Sequence, residues 1–81
     1  MSTPQKGKLY YFNKPTSLYN DETGTYDFFA EKSIVMVYDI YFHHRCLKVW
    51  FLNQDARLNW VPYSNFNFWL SPASVPSPEG A

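Results

Sequence analysis

Cysteine is nearly absent from this chain of 81 residues, Cys46 being the only one. A single thiol forms no internal disulfide, so folding must rest on packing, as expected of a protein in a reducing compartment. Glycine is scarce too: Gly7, Gly24 and Gly80 are too scattered to build a phosphate-cradling loop. The only histidines are His43 and His44. With Cys46 they fall short of the four ligands a structural zinc demands, so no metal and no cofactor is expected. Lysine plus arginine equal aspartate plus glutamate, 7 against 7, which removes any general attraction to nucleic acid or to an anionic membrane. Lys6, Lys8 and Lys14 leave a local basic patch near the start. The longest apolar run, Ile34 to Phe42, is interrupted by Asp39 and is far shorter than the ~20 residues of a bilayer span. No apolar segment follows Lys6 and Lys8, so no signal peptide is expected. These absences set the expectation of a cytoplasmic protein without a membrane partner. Catalysis is not expected either. Cys46 has no third group at a readable spacing to orient a neighbouring histidine, and the carboxylates of residues 21–31 show no paired arrangement.

Aromatic residues are abundant, at 21% of the chain. Each buried ring removes roughly 150–250 Å² from water, so a few rings can build a thin core. Residues 1–7 read as a flexible lead-in. Residues 71–81, with Pro72, Pro76 and Pro78, read as a disordered proline- and serine-rich tail without PxxP spacing. The folded part is then 8–70. Within it, residues 8–12, Ile34 to Phe42, Cys46 to Leu52, Leu58 to Pro62 and Phe66 to Leu70 read as strands. Residues 13–27 are turn-rich, His43 to Arg45 mark a turn or exposed edge, and 53–57 form a polar hairpin loop. No helical period is sustained. The expectation is an all-β domain, a small five-stranded barrel or curled sheet.

Alternation assigns the faces. In Cys46–Leu52 one face carries Leu47, Val49 and Phe51, and the other carries Cys46, Lys48, Trp50 and Leu52. Lysine is rarely buried, so the Leu47 face is the core and Trp50 points outward. In the following strand Val61 points inward, while Trp60 and Pro62 join Trp50 outside. Asn59 reads as a turn residue at the start of this segment, and Ser64-Asn65 as a turn before Phe66. Neighbouring outward tryptophans suit a contact surface; the alternative is that loop or tail residues cover them.

Read in order, these residues resemble an SH3-type barrel. Leu9-Tyr10-Tyr11-Phe12 is similar to the opening ALYDY motif, with Tyr11 in place of its Asp. The acidic stretch 13–27 stands where the long RT loop lies. Phe28 to Val37 resembles the segment with Gly-Asp before Ile-x-Val, with Lys32-Ser33 in place of Gly-Asp. Trp50 stands in the place of the groove tryptophan. Asn59-Trp60-Val61-Pro62 is similar to GWVP, and Ser64-Asn65-Phe66 to the following SNY, with Tyr63 inserted between them. The bacterial SH3-like repeats fit as well: Leu47-Lys48-Val49 is similar to their YKV and Trp60-Val61 to their GWV, with Cys46 in place of the usual tryptophan.

The resemblance implies a non-enzymatic interaction module that lays an extended peptide across aromatic ridges. By matching position the ridges are Tyr10, Phe12, Trp50, Pro62 and Phe66, flanked by Trp60. Asp21, Glu22 and Asp27 supply acids for a basic flank. Core packing is the competing fate of each Tyr and Phe, and a solvated loop that of the acids. A protein or peptide is the expected partner. Self-association as a subunit of a larger assembly is a second expectation, and the composition also suits a phage or mobile-element protein. The alternative is a small barrel that stacks single-stranded nucleic acid, for which Arg45, Lys48 and His43 lie near Trp50.

Overall fold

The computed structural model describes residues 3–73. Short β-branched and aromatic runs broken by polar turns make strands throughout: β1 (Leu9–Phe12), β2 (Thr16–Asn20), β3 (Thr25–Phe29), β4 (Ile34–His43), β5 (Cys46–Leu52), β6 (Leu58–Pro62) and β7 (Leu70–Pro72). A 3-10 turn (Tyr63–Asn65) and one α-helical turn, α1 (Phe66–Trp69), separate β6 from β7. Five strands form one antiparallel sheet in the order β6-β5-β4-β1-β7, and β2 and β3 form a separate hairpin. The chain is therefore all-β, but among the described residues the sheet is open. Its end strands, β6 and β7, are not paired with each other, so the pairing does not close the expected barrel.

Period-2 burial builds the core. Tyr10 and Phe12 on β1, Val35 and Val37 on β4, Val49 and Phe51 on β5, and Val61 on β6 all face inward. Phe29 from the hairpin, Phe66 from α1 and Leu70 from β7 close over them. Phe12 stacks on Phe29 at 4.6 Å and meets Phe51 edge-on at 5.8 Å, while Tyr10 meets Phe66 edge-on at 4.9 Å. Such pairs add about 0.5–1.5 kcal/mol each beyond their burial. Large rings thus compensate for a short chain.

Two turns use left-handed backbone without glycine. The β4–β5 loop is only His44-Arg45, with φ of 52° and 64°. Two positive φ values in a two-residue hairpin mark a type I′ turn, which favours Asn-Gly. Lys32, at φ 72°, turns the chain from β3 into β4. Its N–H donates to the Phe12 carbonyl, and the Phe12 N–H donates to the Ser33 carbonyl.

Several expected boundaries move. The turn-rich stretch 13–27 contains most of the β2–β3 hairpin. Phe66–Trp69 is a helical turn rather than a strand, because one turn is too short to leave a period in sequence. Asn59 is a buried strand residue, not a turn. Ser71 and Pro72 belong to β7, which pairs with β1, and the Ala73 N–H donates to the Leu9 carbonyl. Pro72 is tolerated because it lies at the end of an edge strand. The rest of the expected disordered tail, 74–81, lies outside the described residues. Of the expected flexible lead-in, Pro4 is buried, the Gly7 N–H donates to the Val37 carbonyl, and the Gln5 N–H donates to the Tyr10 hydroxyl.

Candidate functional site

β5 and β6 present Trp50 opposite Trp60 and Lys48 opposite Pro62, because cross-strand partners share a face. β4 adds Tyr41 opposite Lys48 and His43 opposite Cys46. The side chains interlock. Tyr41 stacks on Trp50 at 5.6 Å and 10°, and Trp60 lies 6.3 Å from Trp50. Lys48 Nζ sits 3.7 Å from the Trp60 ring centre and donates to His43 Nδ1 at 3.1 Å. Lys48 is therefore only 5% exposed. Its face is the outer one, as alternation predicts, but the premise that a lysine marks solvent fails here. An aromatic surface takes the methylene stem and the ammonium together.

That geometry favours the neutral His43 ring, because a nitrogen that accepts from an ammonium must carry a lone pair. Partial burial first, and then repulsion from positive charge at the neighbouring His44 and Lys48 positions, hold its pKa below the ordinary 6.5, with Asp21 pulling the other way.

The β2–β3 hairpin forms the facing wall. Asn20 shapes its tip: Oδ1 accepts from the N–H groups of Glu22 (2.9 Å) and Thr23 (3.3 Å), and Gly24, at φ 72°, donates to the Asn20 carbonyl. The same Asn20 turns Nδ2 toward Asp27 Oδ2 at 2.9 Å. Asn59 on β6 donates to that oxygen at 3.0 Å, and Arg57 donates to Asp27 Oδ1 at 2.8 Å. Asp27 is thus a buried clamp between hairpin and sheet. The Asn20 and Asn59 amides, with Arg57 beside them, hold its carboxyl below the ordinary 3.8. At the other end Asn13 fastens α1. Its N–H donates to the Trp69 carbonyl and its Nδ2 to the Phe68 carbonyl, and it accepts from the Ser71 hydroxyl.

Two grooves result. One, of about 200 Å³, is lined by Tyr19, Asp21, Glu22, His43, Trp50 and Trp60, with Asn20, Leu58 and Asn59 behind them. The other, of about 190 Å³, is lined by Leu18, Tyr19, Asp21, Trp60, Pro62 and Trp69. Tyr19, Asp21 and Trp60 belong to both, so the two adjoin. A larger cavity, about 450 Å³, lies elsewhere, between the lead-in and the β1 and β7 strands. Its lining has one charged side chain, Lys8, and none of the residues expected at the site except Tyr10.

The structure brings Asp21, Glu22, Trp50, Trp60 and Pro62 to these grooves. It does not bring Tyr10, Phe12 or Phe66, which were expected as ridges. All three are at most 3% exposed, because each points inward to complete the core. Asp27, expected as a groove acid, faces its amide and guanidinium partners instead. Leu18, Tyr19 and Trp69 were not singled out by sequence. The alternation of Leu18 and Tyr19 in Thr16–Asn20 was the available signal. Among the described residues no group of three His, Cys, Asp or Glu side chains could hold a metal, and no helix is long and apolar enough to cross a membrane. No family model, no curated protein and no solved structure matches the chain.

Proposed function

We propose that this chain is an SH3-like, non-enzymatic interaction module that binds an extended peptide segment of a protein partner in the two adjoining grooves. The observation that carries this reading is the shared wall at Tyr19, Asp21 and Trp60. Two apolar depressions that share this wall suit alternate side chains of an extended strand, and Asp21 on the wall with Glu22 in the first groove favours a basic residue on the Glu22 side. The scaffold is pre-organised, because the Asp27 clamp and Asn13 fix the hairpin and α1 independently of any ligand. Three features support the SH3-like part: the five-stranded sheet, a hairpin in the stretch that resembles the RT loop, and left-handed backbone at Lys32 where the resemblance has glycine.

The alternative reading, single-stranded nucleic acid, draws on Tyr41, which is exposed and stacked on Trp50. Selection of displayed peptides on wild type, with counter-selection on Trp60→Ala, tests the first reading. Peptides that lose binding in Trp60→Ala and carry a basic residue at one end are the expected result. Oligonucleotide binding that falls with salt and is lost in Trp50→Ala, with no peptide selected, would replace it.

A further inference from the structure

We propose that β4 carries a second interaction surface, its unpaired edge from Tyr38 to His43, and that the occupant is the same edge of a second copy of this chain. β4 has ten residues, and β1 pairs only with Ile34–Met36. Gly7 and Lys8 extend the backbone contact to Val37. A bulge between Val37 and Asp39 then turns β4 away. Beyond it, β5 is the only strand among the described residues that pairs with β4, so the other side of Tyr38–His43 has no strand partner, although the Ile40 N–H donates to Asp39 Oδ1.

This edge carries no proline and no lysine; its protection is confined to the bulge at its start and to Asp39, which accepts from the Ile40 N–H at 2.8 Å and lies 3.5 Å from Lys6 Nζ. It is instead rich in rings: Tyr38, Tyr41 and Phe42 are 54%, 41% and 72% exposed. Phe42 pairs with Leu47 and shares the core-side face with Ile40, but extends past the core. At roughly 200 Å² per ring, each edge offers about 300–400 Å² of aromatic surface. Two such edges and their backbones approach the roughly 1,000–1,200 Å² at the low end of specific interfaces, so a reversible dimer is expected.

Charge selects the arrangement. Antiparallel pairing about a two-fold axis brings the Asp39 end of one copy toward the Arg45 end of the other, whereas parallel pairing sets like ends together. The hairpin offers a rival edge in β3, with Tyr26 and Phe28 exposed. That edge has five residues, and the Tyr26→Lys/Phe28→Lys variant tells it apart from the β4 edge. The β4 dimer keeps the Trp50 and Trp60 faces of both copies on the same side of one continuous sheet. The proposal does not depend on what those faces bind.

Sedimentation velocity of the full chain over a wide concentration range is the test. Wild type should rise from 9.6 kDa toward twice that mass. Tyr38→Lys/Phe42→Lys should stay monomeric with an unchanged far-ultraviolet spectrum. Arg45→Glu should weaken association, and Asp39→Lys/Arg45→Glu should restore it. Amide exchange at 39–43 should slow as wild type is concentrated. A wild type that stays monomeric into the millimolar range overturns the proposal. So does association that survives Tyr38→Lys/Phe42→Lys, or that is lost only in Tyr26→Lys/Phe28→Lys.

Discussion

Replacing Asp27 with alanine removes the acceptor that joins the hairpin to the sheet. Asn59 Nδ2 then has no partner, and Asn20 Nδ2 keeps only its 3.4 Å contact with the Leu58 carbonyl. A buried donor left unpaired costs about 1–3 kcal/mol. The Arg57 side chain is half exposed, so loss of its ion pair adds less than about 1 kcal/mol. The expected destabilisation is about 2–4 kcal/mol, a large part of the roughly 4–12 kcal/mol typical of a chain this long. Asp27→Asn keeps one oxygen for the amides but turns an amide donor toward Arg57. It should cost less, about 1–2 kcal/mol. Urea unfolding followed by tryptophan fluorescence measures both, provided the m value is unchanged. The pH dependence supplies a second signature. The folded carboxyl is held below its ordinary value, so its stabilisation is complete above the unfolded pKa of about 3.9 and is lost as pH falls through the folded value. The gap between wild type and Asp27→Ala should therefore narrow below about pH 4. A loss under about 0.5 kcal/mol at pH 7, the range of ordinary surface changes, would refute the clamp.

Three further outcomes follow from the same structure. His44→Asn/Arg45→Gly should raise stability by about 1 kcal/mol, read as a higher urea midpoint, because it relieves two left-handed non-glycine residues. Phe66→Ala should cost about 3–5 kcal/mol, as a core truncation does, whereas a surface ridge would lose far less. His43 has a folded pKa below its unfolded value, so the unfolded chain takes up the proton first and stability falls as pH drops below about 6.5. His43→Gln should flatten the slope of the urea midpoint between pH 5 and 7, and an unchanged slope would place that titration elsewhere.

The strands that carry a clean period of two were legible. β5 and β6 run over the residues expected of them, and Val49, Phe51 and Val61 face the core as alternation requires. β2 and β3 were not, because Thr16–Asn20 and Thr25–Phe29 are short and lie in a stretch dominated by Asn, Asp, Pro and Gly. What marks them is the long-range clamp from Asp27 to Asn59, 32 residues away, which no local pattern reveals. The outward tryptophans were legible for the same reason as the strands. Their cover was not: whether Lys48 reaches water or lies across Trp60 depends on His43, which the hairpin turn at His44-Arg45 brings alongside. Tyr10, Phe12 and Phe66 match the resemblance by position, but that match does not determine which way a ring points.

The central claim is that partner peptide enters between Tyr19, Asp21 and Trp60. Heteronuclear NMR of the chain with a selected peptide tests this most directly, because the three tryptophans give separate indole N–H signals. Shifts are expected at the Trp60 indole and at the amides of Tyr19, Asp21 and Glu22, with binding abolished in Trp60→Ala. Binding that leaves those signals in place, or that persists in Trp60→Ala, would contradict it.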